Sequence, residues 1–164
     1  EREYLPRGIT ETLAALDFID SGLNVCILGP SDSGKSYLAK ALGIVACNNY
    51  KVEYHHCETL LETLVALKAQ DYSKYQKRLK KICGAALLIL DDFLLHTITD
   101  EREVKILFEV LEKRCEINLS TIICSQREPA SWSSMILNDE VSANAILKRA
   151  TKHYTVVIKP KMTT

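Results

Sequence analysis

The chain has 164 residues, of which 47% are hydrophobic and 26% are charged, and its 21 Lys and Arg residues balance 21 Asp and Glu residues. This length suits one domain with its own core, and the composition is that of a globular α/β protein rather than a disordered one. The balanced charge excludes a global basic field, although it leaves local nucleic-acid contacts open. Since no apolar run reaches membrane-spanning length and no signal peptide opens the chain, we expect a cytoplasmic protein.

The six cysteines favour reduced thiols over disulfides. They show no paired C-x-x-C spacing, and several of them fall inside apolar runs: Cys26, Cys47, Cys57, Cys83, Cys115 and Cys124. Small buried thiols are common in cytosolic proteins, where disulfides are rare. We therefore expect buried, unpaired cysteines.

The predicted elements alternate between helix and strand. Residues 1–7 are polar and contain Pro6, so they are expected to be a lead-in arm. Thr10 is expected to cap a helix that ends near Gly22, with Leu13, Leu16 and Ile19 on its apolar side. Beyond it, strands are predicted at 23–28, 52–57, 85–90, 120–124 and 154–158, and helices at 35–49, 58–70, 72–81, 100–115 and 140–149. This alternation predicts a largely parallel five-stranded sheet with helices on both faces.

Between the first strand and its helix lies a phosphate-loop motif. The residues Gly29-Pro30-Ser31-Asp32-Ser33-Gly34-Lys35-Ser36 match G-x-x-x-x-G-K-[ST] without a mismatch. The two glycines let the backbone turn sharply toward a polyphosphate, and the N-terminus of the following helix favours the anion. Lys35 can reach the β- and γ-phosphates, and Ser36 can ligate Mg²⁺. The motif, extended to Tyr37, predicts a nucleotide-binding site with Mg²⁺.

Other candidate catalytic residues follow later strands. Asp91 ends the apolar run 85–90, as in a Walker B strand, and is the second expected Mg²⁺ ligand, while Asp92 is placed to orient or deprotonate the attacking water. Gln126 follows the next strand and can hydrogen-bond the γ-phosphate or the water, although a satisfied amide at a strand end is nearly as good an interpretation. Arg149 is either an arginine finger or a solvated cation at a helix end, and the sequence by itself favours the second.

Three further patterns have simpler interpretations. The basic stretch with Lys74, Lys77, Arg78, Lys80 and Lys81 can contact DNA phosphates, but a solvated helix face explains it better. His55, His56 and Cys57 lack a second ligand pair, so a strand end is favoured over a metal site. Trp132 is expected to anchor the core.

These residues resemble the AAA+ ATPases of the DnaC/IstB group, which are helicase loaders and transposition helpers. The resemblance covers most of the chain: residues 24–42, 88–93, 107–116, 120–126, Trp132 and 139–149. The segment 139–149 is similar to the D-x-x-x-A-x-A-I-L-D-R-L pattern of the group, and the IstB branch fits slightly better. The resemblance implies ATP and Mg²⁺ binding, assembly into a ring or filament on DNA, and a transposase or replicative helicase as partner. It also implies the arginine-finger role for Arg149 and the sensor-one role for Gln126.

The sequence departs from the group in ways that bear on activity. Ser125-Gln126 replaces the usual Ser-Asn, and Asp91-Asp92 replaces a frequent Asp-Glu, so hydrolysis is expected to be slow. Residues 159–164 do not match the closing Ser-Tyr-Arg of the group. We therefore expect residues 1–164 to be an AAA+ ATPase core without the N-terminal partner-binding region and the sensor-two segment. Two alternatives stay open: a nucleotide-gated binding module with little hydrolysis and, with less support, a small-molecule P-loop kinase.

Overall fold

A six-stranded sheet forms the centre of the fold in the computed structural model, which describes residues 2–136 and 140–160. The strands are β1 (Arg2–Leu5), β2 (Val25–Leu28), β3 (Val52–His56), β4 (Leu87–Asp91), β5 (Ser120–Ser125) and β6 (Tyr154–Pro160). The helices are α1 (Ile9–Ala14), α2 (Asp17–Asp20), α3 (Lys35–Ala46), α4 (Cys57–Gln70), α5 (Tyr72–Gly84), α6 (Glu101–Glu116) and α7 (Glu140–Ala150). The spatial order is β1-β6-β2-β5-β4-β3, and every neighbouring pair except β1 and β6 is parallel.

Helices cover both faces of the sheet. Successive strand residues point to opposite faces, and the residues on each side are buried against these helices. On β2 and β5, Cys26 and Ile123 pack with α4, α5, α6 and α7, whereas Val25 and Ile122 pack with α1, α2 and α3. This two-sided burial explains the continuous apolar runs that the sequence shows at the strands. None of the described helices combines the length and the hydropathy needed to cross a bilayer.

The prediction of a parallel α/β sheet is confirmed, but the predicted strand count of five is wrong. The expected lead-in arm forms β1, which pairs antiparallel with β6 in a register that places Arg2 opposite Pro160 and Leu5 opposite Val157. The polar sequence of this arm hid the strand, because an edge strand buries only one side. Tyr4 supplies that side by packing against the cluster beneath α1 to α3.

The single helix predicted from Thr10 to Gly22 is also wrong. The chain forms α1 and α2 instead, separated at Leu16, whose φ of 64° breaks the helical hydrogen-bond pattern. Leu16 remains buried at 8% exposure, so the break turns its side chain into the core. The residue that precedes α1 is Gly8 rather than Thr10, and the Thr10 hydroxyl donates to Glu11.

The expected burial is found for Trp132 and for four of the six cysteines. All six cysteines are unpaired; four are buried, while Cys47 is exposed and Cys115 is partly exposed. Trp132 is fully buried, and its ring packs edge-on against Phe93 at a centroid distance of 4.9 Å. Its Nε1 donates to the Arg127 carbonyl at 3.0 Å, which fixes the turn that follows β5.

A buried arginine ties α5 and α6 to the sheet. Arg114 is 1% exposed, and its guanidinium donates to five oxygens: Thr121 Oγ1 and the carbonyls of Ile82, Cys83, Ala85 and Ser120. Three of these carbonyls lie at the C-terminal end of α5, where a helix attracts cations. Burial lowers the pKa of Arg114 to about 10, so the group stays protonated at neutral pH.

We expect Arg114→Met to lower the free energy of unfolding by roughly 3 kcal/mol, because several buried carbonyl groups lose their donors. Urea denaturation followed by circular dichroism measures this change. Lys113→Met, on the exposed side of the same helical turn, is the matched control and should stay within about 1 kcal/mol of wild type. Equal stabilities for the two variants would contradict the role of Arg114 in holding α5 and α6 against the sheet.

Candidate nucleotide-binding site

The phosphate-loop motif joins the carboxyl end of β2 to α3, and its glycines are required by its geometry. Gly34 has a φ of 100°, a conformation that other residues rarely adopt. A Cβ atom on Gly29 would lie 2.6 Å from Ser33 Oγ and 3.1 Å from the Ile158 carbonyl oxygen. Gly29 N also donates to the Ser125 carbonyl at 3.3 Å, so the loop starts as an extension of the β2–β5 ladder.

Lys35 is the first residue of α3 and is only 7% exposed. Its Nζ donates to the Pro30 carbonyl at 2.8 Å, so the ammonium group lies within the loop. Ser33 N donates to the same carbonyl at 3.2 Å, while the buried Ser33 Oγ has no hydrogen-bond partner among the described residues. The other predicted binding residues lie at or near the surface: Pro30, Ser31, Asp32 and Tyr37 are exposed and Ser36 is partly buried.

These residues fit a polyphosphate with a divalent cation. At Gly29 and Gly34 a side chain would collide with neighbouring atoms, and among the described residues the buried Ser33 hydroxyl has no hydrogen-bond partner. The N-terminus of α3 carries no acidic residue in its first turn, so nothing there neutralises the positive end of its dipole. Ser36 and Asp91 offer the oxygen atoms that Mg²⁺ prefers.

The acidic pair lies at the same edge of the sheet, and side chains of β3 hold both members. Asp91 is the fully buried last residue of β4; it accepts a short hydrogen bond from the Tyr54 hydroxyl and one from Asp92 N at 2.9 Å. Asp92 has a φ of 51°, and its Oδ2 lies 2.9 Å from His56 Nδ1. Because β5 separates β4 from β2, the acidic pair lies about 10 Å from the start of the loop by strand spacing.

Sequence reasoning missed the roles of Tyr54 and His56. They alternate on β3, which pairs in register with β4 so that His56 lies opposite Asp91. That alternation was the available signal, but it required knowing that β3 and β4 are neighbours. No group of three or more His, Cys, Asp or Glu side chains that could hold a metal ion occurs in residues 2–136 and 140–160.

The raised pKa values of Cys124 on β5 and Tyr54 on β3 reflect burial and the charges near them. Burial raises the pKa of the Cys124 thiol well above its usual value; Asp91 and Asp92 raise it further, and Lys35 opposes them. Burial and then the hydrogen bond to Asp91 raise the pKa of Tyr54. Lys35, Asp91 and Asp92 therefore all lie near enough to Cys124, at the end of β5, to affect the pKa of its thiol.

The structure also brings Gln126 to the loop. Gln126 is exposed just after β5, and with Gly29 and Pro30 it lines a cavity of about 470 Å³. The preceding Ser125 is buried, and its hydroxyl donates to the Phe93 carbonyl at 2.8 Å and accepts from Arg127 N at 3.0 Å. These bonds tie the turn that carries Gln126 to the segment after Asp92.

Arg149 is not brought to this site. Its carbonyl accepts a hydrogen bond from Asn24 Nδ2 at 3.3 Å, and Asn24 precedes β2, whose opposite end leads into the loop. Because the four residues of β2 span about 13 Å, Arg149 lies at the far edge of the sheet. Its side chain is exposed at this edge, away from the loop of its own chain.

The chain is similar to a family of known proteins over nearly its whole length. Residues 2–161 match the family described as IstB-like ATP binding protein. A protein of Pseudomonas aeruginosa, named as the ATP-binding protein of insertion sequence IS21, is 32% identical over 154 residues, covering 93% of this chain and 56% of that protein. An insertion-sequence ATP-binding protein of Sinorhizobium fredii is 40% identical over 149 residues, covering 90% and 58%. The chain thus spans a little over half the length of these curated relatives.

A solved structure of DnaI is similar to the fold, with a TM-score of 0.77 at 20% identity, covering 93% of this chain and 85% of that chain. At this identity the likeness shows the fold alone, a mostly parallel α/β sheet with helices on both faces.

The contact between Tyr54 and Asp91 can be tested by alkaline unfolding. Because the folded-state pKa of Tyr54 is raised, its contribution to stability is complete below the ordinary tyrosine pKa of about 10 and declines as the pH rises above that value. We expect wild-type stability to fall more steeply with pH than that of Tyr54→Phe, by up to about 1.4 kcal/mol per pH unit. Urea unfolding between pH 8 and 11 measures the difference. Tyr72→Phe, at an exposed position, should follow the wild-type curve; parallel curves for all three proteins would refute the contact.

Proposed function

The chain belongs to the family of IstB-like ATP-binding proteins, and from this premise we propose that it binds Mg²⁺-ATP at residues 29–36 and hydrolyses ATP. We propose further that it does so as an oligomer on DNA in the cytoplasm, as the helper of a transposase. The insertion-sequence relatives favour this partner over a replicative helicase. The observation that carries the proposal is the meeting of the loop, Lys35 and the acidic pair at one edge of the sheet.

Binding of the triphosphate follows from the geometry of the loop. The backbone N–H groups at the start of α3 and the Lys35 ammonium would donate to phosphate oxygens. Lys35 would exchange its hydrogen bond to the neutral Pro30 carbonyl for one to an ionised phosphate oxygen, which is stronger because both partners are charged. Ser36 and Asp91 would hold Mg²⁺, which when bound offsets negative charge on the phosphate oxygens.

Hydrolysis would depend on Asp92 and Gln126. The Asp92 side chain is 40% exposed, so it can be reached by water, and its contact with His56 positions one carboxylate oxygen. The other oxygen can orient the attacking water or accept its proton. Gln126 follows β5, the strand between β2 and β4, and can hydrogen-bond the water or the γ-phosphate.

Arg149 would act in a neighbouring subunit. Its place at the far edge of the sheet excludes its own loop and fits a head-to-tail assembly, in which one copy presents this edge to the nucleotide of the next. Such heterologous contacts close into rings or continue as filaments.

A basic surface on α5 supports the DNA part of the proposal. Lys77, Lys80 and Lys81 are exposed on this helix and line a cavity of about 750 Å³ together with Lys51. Among the described residues none of these lysines has a carboxylate within salt-bridge distance, whereas Arg78 is paired with Glu53 at 3.0 Å. Unpaired lysines on one surface favour a phosphate backbone, which is contacted without regard to sequence.

A nucleotide-gated binding module with little hydrolysis is the second candidate. The contact between His56 Nδ1 and Asp92 Oδ2 favours it, because a carboxylate oxygen that is engaged by a neighbouring side chain is less free to position water. The two candidates share the binding site and differ only in turnover.

Two variants separate binding from turnover. We expect Lys35→Ala to weaken ATP binding at least about 100-fold, because a charge-assisted contact to phosphate is lost. Asp92→Asn should bind ATP within about threefold of wild type but lose turnover by roughly 10²–10⁴-fold, as expected when a general base is removed. Equilibrium titration and phosphate release, each with and without duplex DNA, measure these effects.

Lys152→Ala, an exposed change far from the loop in sequence, is the control and should behave as wild type in both assays. ATP binding that persists unchanged in Lys35→Ala would refute the site. Wild-type binding with negligible turnover, with DNA and without it, would instead support the binding module.

The arginine-finger role is tested by mixing variants. Arg149→Ala should lower turnover by about 10³-fold or more in the assembled protein, and mixing it with Asp92→Asn should restore activity, since one chain then supplies Arg149 and the other Asp92. Phosphate release measured against protein concentration detects the effect. Lys148→Ala is the neighbouring control. An equal loss in dilute monomer, or no recovery on mixing, would exclude action between subunits.

A further inference from the structure

We propose that Arg2 is a further nucleotide-binding residue, which places a guanidinium group beside the phosphate loop to contact the phosphates of a nucleoside di- or triphosphate. This inference rests on the proposed function of the loop. The residue lies 32 positions before Gly34 and outside the motif, and it reaches the loop only because β1 forms.

Arg2 packs directly against the loop. A Cβ atom on Gly34 would lie 2.8 Å from Nη1 and 3.2 Å from both Cδ and Cζ of Arg2. The side chain therefore covers the loop at the residue that precedes α3. Gly34 leaves space for it, since any larger residue there would displace the guanidinium group.

Strand pairing explains why Arg2 points this way. Arg2 lies opposite Pro160 at the carboxyl end of β6, which is the edge of the sheet where the loop lies. Tyr4, two residues later on the same side of β1, packs into the cluster formed with α1 to α3. The alternation of the strand thus directs Arg2 toward α3.

The charges around Arg2 favour an anion. The N-terminus of α3 carries the positive end of a helix dipole, and Lys35 adds a buried cation within the loop. A second cation at this position is repelled by the dipole and by Lys35 unless negative charge lies among them. Arg2 has no salt bridge or hydrogen bond to its side chain among the described residues, and the loop carboxylate of Asp32 is not within salt-bridge distance.

Equilibrium binding of a fluorescent ATP analogue tests the inference. Arg2→Met should weaken binding of ATP and of ADP about tenfold, while Arg2→Lys, which keeps the charge, should stay within about threefold of wild type. Displacement of the analogue by inorganic tripolyphosphate should weaken by the same factor in Arg2→Met, since the contact is to phosphate. Arg7→Met is the matched control, because Arg7 is exposed in the same segment but follows β1 at its other end.

Unchanged ATP binding by Arg2→Met, an equal loss in Arg7→Met, or a loss for ATP without a loss for tripolyphosphate would overturn the inference while leaving the proposed function intact. Thermal unfolding of each variant excludes loss of the fold as the cause, and Arg2→Lys provides a second, conservative readout. A wild-type chain that does not bind ATP would overturn the proposed function, and the role of Arg2 with it.

Discussion

The parallel pairing of β2 with β5 is the constraint on which the candidate site depends. Leu28 lies opposite Ser125, and the ladder continues for one residue into the loop through the bond from Gly29 N to the Ser125 carbonyl. The Ser125 hydroxyl also donates to the carbonyl of Phe93, the residue that follows the acidic pair at the end of β4. One buried serine therefore connects the loop, the turn with Gln126 and the segment after Asp92, so these parts cannot shift independently.

The opposite edge of the sheet is fixed by a separate set of buried polar groups. The Asn24 side chain accepts a hydrogen bond from Thr121 N at 2.9 Å and donates to the Arg149 carbonyl, so it joins β2, β5 and the end of α7. Arg114 binds the end of α5 to the start of β5. Buried donors of this kind are costly to leave unpaired, which makes this edge rigid. A rigid far edge suits the proposed presentation of Arg149 to a neighbouring subunit.

The sequence was sufficient for features encoded in local patterns and insufficient for those that depend on tertiary neighbours. The phosphate-loop motif and the apolar strands 85–90 and 120–124 predicted the parallel sheet and the placing of Lys35 and Asp91 at one edge, because strand ends in such a sheet must meet. The strand β1 was missed because its pairing with β6 spans more than 150 residues. The break at Leu16 was missed because an apolar residue with a left-handed backbone leaves no sign in helical periodicity. The contacts of Tyr54, His56 and Arg2 with the site depend on which strands are neighbours, so no spacing within the sequence predicts them.

The charges of the site are arranged in two groups that the proposed ligand would bridge. Lys35 and Arg2 lie on the loop side, while Asp91 and Asp92 lie on the β4 side, which suits a triphosphate against the first group and a divalent cation against the second. Three of the four have a protein partner: Lys35 has the Pro30 carbonyl, Asp91 has Tyr54, and Asp92 has His56. Binding would have to exchange these contacts for new ones, which reduces its net free energy. Among the described residues Arg2 has no such contact to exchange, so a hydrogen bond from its exposed side chain to a phosphate would replace only bonds to water.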